Sequence, residues 1–199
     1  MDLPIILASG SAHRRGLLAN AGIAVEVLPS TIDERAVEDA LDASDVTPDD
    51  VAAILAEAKA VEVSERSPGR IVLGADQTLA LGDEILHKVS SMEEARRTLL
   101  KLSGKSHRLH SAYALVRDGS VLQRRVETAT ITFRDLSPAA IGHYLARVGD
   151  TALSSVGCYQ VEGQGLTLID RIDGDVFTIM GLPMLPLLND LRQLGALND

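Results

Sequence analysis

Apolar residues fall along this chain in short continuous runs and in helical spacings, and their alternation predicts its elements. Pro4 to Ala8 reads as a short buried strand. Ser11 onward reads as a helix with Leu17 and Leu18 on its inner face and Gly22 just past its end. The loop between them, Ser9-Gly10-Ser11, aims free N–H groups and the positive helix end above the strand. Ala24 to Leu28 predicts a second strand and Pro29 to Arg35 a polar loop. The acidic stretch Glu38 to Asp50 reads as solvated loop and helix start. Thr47-Pro48-Asp49-Asp50 carries an N-cap threonine, a first-position proline and a capping-box acid, with Val51, Ile54, Leu55 and Ala58 following at helical spacing.

Ile71 to Leu81 predicts a strand turning at Gly82-Asp83 into Glu84 to Leu86, and Ser90 with Glu93 a capping box for a helix ending near Gly104. Arg108 to Val116 and Val121 to Phe133 flank Asp118-Gly119, a dipeptide that supplies the positive φ angles of a tight hairpin turn. Ser137-Pro138 opens a helix that Gly149 closes. A strand follows near Leu166 to Ile172. Phe177 to Leu188, broken by Pro183 and Pro186, reads as a buried strand leading into a last helix from about Pro183. Strands alternate with helices early and pair as a hairpin later, which predicts an α/β fold with one twisted mixed sheet flanked by helices. With no repeat, low-complexity tract or linker, residues 1–199 are expected to form one domain.

Composition narrows the function. The chain has 199 residues, 46% of them hydrophobic, enough for one full core, but only 3% are aromatic and none is Trp. Aliphatic side chains must fill that core, and base-stacking platforms for single strands are not expected. A net charge of −9 argues against a nucleic-acid partner, so a bound nucleotide is expected to be a small molecule in a local basic pocket. One cysteine, Cys158, excludes an internal disulfide and fits a reducing, cytoplasmic setting. The first apolar run, Leu3 to Ala8, is too short to span a bilayer and no signal-like start precedes it, so no membrane association is expected.

The residue that most needs an explanation is Asp76. It follows the apolar run Ile71-Val72-Leu73-Gly74-Ala75, where a carboxylate is unfavourable unless chemistry or a metal compensates for it. Arg14 and Arg15 in the first turn of a helix oppose its dipole, which an anion there would explain; they read equally as solvated surface groups. Asp33-Glu34 after a strand offers carboxylates to a hard divalent cation, or is an ordinary acidic turn. Lys59 lies four residues after Leu55, at the edge of a buried stripe, either facing a cleft or snorkelling to water. Lys88 past a strand could neutralise a leaving polyphosphate, or sit on the surface. Cys158 reads as a small packed residue, and histidines 13, 87, 107, 110 and 143 lack zinc-ligand spacing.

Taken in order, these segments resemble the Maf family of nucleoside triphosphate pyrophosphatases, also known as septum-formation inhibitors. The matching segments are Leu7 to Arg15, Asp33-Glu34, Glu57-Ala58-Lys59-Ala60, Gly74-Ala75-Asp76-Gln77, Leu86-His87-Lys88, Leu102-Ser103-Gly104-Lys105, Glu162-Gly163-Gln164-Gly165, Gly174-Asp175 and Gly181-Leu182-Pro183. The resemblance implies an inosine-triphosphatase-like sheet with a central cleft, and cleavage of a nucleoside triphosphate to monophosphate and pyrophosphate with Mg2+ or Mn2+. It matches Ser9 and Arg14 to the phosphate loop, Lys59 and Lys88 to the phosphate lysines, Asp76 to the proton acceptor, and Glu34 with Asp76 to the metal. It also admits a homodimer.

Gln77 and Glu162 stand where the dTTP- and UTP-cleaving branch has threonine and glutamine, and they resemble the 7-methyl-GTP branch. A glutamate can accept from the N1–H and amino group of guanine, whereas thymine offers one ring donor. His13 departs from both branches, standing where the 7-methyl-GTP branch typically has tryptophan; an aromatic face there would favour a cationic methylated base. The rival readings are a division regulator that binds triphosphate with negligible hydrolysis, a pyrophosphatase preferring dTTP or UTP, and a phosphatase releasing orthophosphate.

Overall fold

The computed structural model describes residues 4–41 and 46–197. The chain runs through β1 (Ile5–Leu7), α1 (Ala12–Asn20), β2 (Val25–Val27), α2 (Glu34–Leu41), α3 (Pro48–Glu65), β3 (Val72–Leu81) and β4 (Glu84–Leu86). Then come α4 (Met92–Leu102), the long strands β5 (Ser106–Arg117) and β6 (Ser120–Phe133), α5 (Pro138–Val148), β7 (Ile169–Asp173), and helices α6 (Val176–Ile179) and α7 (Met184–Gln193). The strand order is β2-β1-β3-β5-β6-β7, with β4 paired to β3. β1 runs parallel to β2 and β3, while β4 on β3 and β7 on β6 are antiparallel, so the fold is α/β with a mixed sheet. No described helix is long and apolar enough to cross a membrane. The chain divides into two compact units, Met1–Gln77 with Ser111–Glu127 and Gly181–Asp199, and Thr78–His110 with Thr128–Met180.

In the first unit, close packing follows from small residues. Ala52, Ala56 and Ala60 of α3 are fully buried, and Gly74 of β3 lies against the backbone of that helix at Ala56 and Ala60. Leu55 and Leu73 are buried almost completely, each worth about 1.5–3 kcal/mol relative to exposure. The hairpin turn has φ of 50° at Asp118 and 74° at Gly119, the positive pair its sequence predicts. Asp190 of α7, wholly buried, accepts from the Tyr113 hydroxyl (2.6 Å) and from Arg125 Nε and Nη2 (2.8 and 2.9 Å), which fastens α7 to the hairpin strands. The Arg125 hydrogen bonds hold its carboxyl below the ordinary range, against the effect of burial.

The second unit is built on Leu99, Leu102, Ile131 and Phe133, with Tyr144 and Tyr159 among the few aromatics of the core. His107 is buried there, its Nε2 2.8 Å from the Tyr159 hydroxyl and its ring edge-on to Phe133 and Tyr159. Its Nδ1 has no hydrogen-bond partner among the described residues. Burial pulls its pKa from 6.5 down to about 4, so the ring is held neutral. The unfolded chain then binds the proton first as pH falls. The contribution of His107 is intact above pH 6.5 and drains toward the folded value near 4. Between pH 7 and 5 we expect about 2 kcal/mol of stability to be lost through this group. Denaturant unfolding across that window should show a shallower slope for His107→Gln, and an unchanged slope would contradict the assignment.

Four details depart from the sequence pattern. Pro29 to Arg35 does not stay loop to its end: Asp33 Oδ1 accepts from Ala36 N (3.1 Å) and starts α2 at Glu34, so much of the acidic stretch is helix, with residues 42–45 outside those described. The capping box of α4 is Ser91 with Glu94, one residue later than Ser90 and Glu93, although Ser90 also donates to Glu94. Leu166 lies in a 3-10 turn and is exposed, so β7 begins only at Ile169. Phe177 to Leu188 contains no strand: Asp175 caps Thr178 N (3.0 Å), and its β-branched residues wind into the single turn α6. Pro186 falls in the first turn of α7, where its missing N–H has no intrahelical partner to lose.

Candidate active site

Asp76 is buried within β3, which continues past it to Leu81, and its carboxylate is answered by α3 rather than by solvent. Lys59 Nζ lies 2.6 Å from Asp76 Oδ1 and 2.9 Å from Glu34 Oε1. The lysine does not snorkel: it is 7% exposed. Two negative side chains therefore share one ammonium. Each element contributes for a local reason. β3 brings Asp76 up to α3 because Gly74 lets that helix sit close, and α2 places Glu34 in its first turn because Asp33 takes the cap. The Asp33-Glu34 pair thus divides into one structural and one site carboxylate.

Ser9, Ser11 and Arg14 lie in the same unit. Ser11 caps α1, accepting from Arg14 N, and Ser9 Oγ accepts from Ser11 N (3.3 Å) and from Arg14 Nη1 (3.1 Å). Both bonds use Ser9 as acceptor, so its O–H remains able to donate. Arg14 is buried, not a solvated surface group. Its Nε donates to Gly181 O (2.9 Å) and its Nη1 to Ala75 O (2.8 Å), which ties the loop to β3 and to the turn before α7. Nη2 makes no hydrogen bond among the described residues. Desolvation pulls the guanidinium below its ordinary range, and the Asp76 and Glu34 carboxylates pull it back. Arg15, by contrast, is exposed.

Gln77, next along β3, donates from Nε2 to the buried Ser111 Oγ (2.9 Å), and Gly181 leaves Gln77 Oε1 clear of a side chain that would otherwise sit 3.6 Å away. His13 is half-buried beside Arg14. Lys88 and Glu162 belong to the second unit. Both are exposed, Lys88 two residues after β4 and Glu162 just before the 3-10 turn. Cys158 is buried with φ of 61°, and burial pushes its thiol up to about 11, the condition of an inert packed residue.

The sequence pattern missed the acceptors of Arg14, because backbone carbonyls leave no residue-type signature. Its only hint was Gly181, whose φ of 97° favours glycine and shapes the turn that presents its carbonyl. For a divalent cation the donor chemistry fits: two carboxylates already direct oxygens at one cationic atom. No group of three or more His, Cys, Asp or Glu able to hold a metal occurs among the described residues, so a cation would complete its shell with water or ligand oxygens.

The family model described as "Maf-like protein" matches residues 4–194. A protein of Mesorhizobium japonicum named 7-methyl-GTP pyrophosphatase is 60% identical over the full length of both chains. One of Brucella abortus with the same name is 58% identical over 97% of each. A Rhodopseudomonas palustris protein named nucleoside triphosphate pyrophosphatase is 53% identical, covering 96% of this chain and 93% of its own. A solved HAM1 protein of Coxiella burnetii overlaps 65% of this chain and 71% of its own at a TM-score of 0.40 and 15% identity, a likeness too slight to carry function.

Proposed function

The chain belongs to the Maf family, and from that premise we propose that it hydrolyses a nucleoside triphosphate to monophosphate and pyrophosphate, with 7-methyl-GTP or a related guanine nucleotide as substrate. The observation that carries the reading is the buried pair Asp76 and Lys59, reached from the surface by Glu34, beside the Arg14-tied loop. In this role Asp76 takes the proton of the water that attacks the α-phosphorus. The Ser9 hydroxyl, Arg14 Nη2 and the first-turn N–H groups of α1 bind phosphate oxygens, and Lys59 neutralises the departing pyrophosphate, a role the family resemblance also gives to Lys88. Bound Mg2+ or Mn2+, held by Glu34 and Asp76, would supply further charge neutralisation on the phosphate oxygens. The proposed setting is the cytoplasm, where a lone Cys158 stays reduced.

Gln77 and Glu162 carry the base preference in this reading. Glu162, though exposed, can accept from the N1–H and amino group of guanine, so Glu162→Gln should narrow the preference for guanine over pyrimidine triphosphates by roughly tenfold or more. Specificity constants for 7-methyl-GTP, GTP, dTTP and UTP, read by pyrophosphate and orthophosphate release, test both parts. Orthophosphate as the main product overturns the reaction. A wild-type preference for dTTP or UTP overturns the base assignment alone.

A further inference from the structure

Building on the reading of a metal-assisted triphosphate site, we infer that Lys59 occupies the divalent cation's place in the nucleotide-free protein and yields it only when metal and triphosphate arrive together. Lys59 Nζ stands 2.6 Å from Asp76 Oδ1 and 2.9 Å from Glu34 Oε1, the two carboxylates that fit the metal. A divalent ion on those oxygens would face the ammonium across a few ångströms, and on the Asp76 side, where lysine and carboxylate are both buried, like charges repel more than in water. One cation excludes the other.

Lys59 is also the partner that can move. Arg14, the other cation coupled to these carboxylates, is pinned by Ser9 Oγ, Ala75 O and Gly181 O. Among the described residues the lysine has only the two carboxylates, and its stem has four rotatable carbons. Free metal must expel the ammonium with no compensation. A metal-bound triphosphate brings anionic oxygens that receive the ammonium as the metal takes its place, and that turns a carboxylate counter-ion into a phosphate ligand. Two carboxylates are in any case too few for Mg2+ or Mn2+, which need oxygens from water and phosphate to complete six. Metal and nucleotide should therefore bind synergistically, each weakly without the other.

Mn2+ titration of the nucleotide-free protein, followed by electron paramagnetic resonance, tests this without turnover. Lys59→Met should bind Mn2+ about tenfold or more tightly than wild type, and adding Glu34→Gln should abolish the gain. Lys59→Gln, which keeps a polar contact in the pocket, should repeat the gain if the methionine variant folds poorly. Affinities within about twofold of wild type in the folded variants overturn the inference. On the wild type itself, a guanosine triphosphate with a methylene in place of the α,β-bridging oxygen should tighten Mn2+ by a comparable factor beyond the analogue's own affinity for the ion. Simple additivity there overturns it too. If Lys59→Met tightens Mn2+ while no triphosphate yields pyrophosphate, the lysine exchange stands and the proposed reaction falls.

Discussion

Asp76→Asn is expected to lower pyrophosphate release by about two or more orders of magnitude while the protein remains folded. Asparagine keeps the shape of the side chain within β3 and removes the proposed proton acceptor. The fold should survive because Lys59, which loses its 2.6 Å partner, retains Glu34 at 2.9 Å, so no ammonium is left buried without a carboxylate. Arg14 also keeps its contacts to Ser9 Oγ, Ala75 O and Gly181 O, none of which involves the Asp76 side chain. The loss should therefore appear in kcat even at saturating metal, while the metal concentration required should rise, because Asp76 is also one of the two carboxylates proposed to hold the cation. Thermal unfolding of the variant separates a lost base from a lost fold. Turnover within about threefold of wild type would remove Asp76 as the base.

Much of this arrangement was legible because it rests on local chemistry. The Thr47 capping box, the Asp118-Gly119 turn and the Ser137 cap each state their conformation in a few residues, and each forms as read. The cost of a carboxylate after five apolar residues pointed to Asp76, and the partner that offsets the cost, Lys59, lies on the helix whose stripe edge drew notice. The errors share a physical origin too. Val176 to Ile179, three β-branched residues and a phenylalanine, has strand character by composition, yet one aspartate cap at its start winds it into a helical turn. Asp33 does the same for α2, a short helix with no buried residue. The role of Arg14 as a tie was out of reach because its acceptors, Ala75 O and Gly181 O, are backbone atoms, one of them 167 positions away.

Gly74→Ala should destabilise the protein markedly, and the same substitution at Gly16 should not. A Cβ at Gly74 would stand 2.2 Å from Ala56 O and 2.7 Å from Ala60 N, and both are backbone atoms that move only if α3 moves. Overpacking of this kind costs about 1–3 kcal/mol or more. At roughly 2–4 °C per kcal/mol for a chain of this size, the melting temperature should fall by about 2–12 °C. The retreat of α3 carries Lys59 away from Asp76, so activity should fall beyond what the lost stability explains. Gly16 lies in α1 with nothing within 4 Å of the added carbon, and there alanine should stabilise the helix by up to about 1 kcal/mol. One chemical change thus has opposite signs at two sites of the same unit, which separates close packing from a general effect of alanine on the unfolded chain. Calorimetric unfolding of both variants decides the matter. A Gly74→Ala protein that melts at or above the wild-type temperature would mean that α3 does not sit this close to β3, and the contact between Lys59 and Asp76 would go with it.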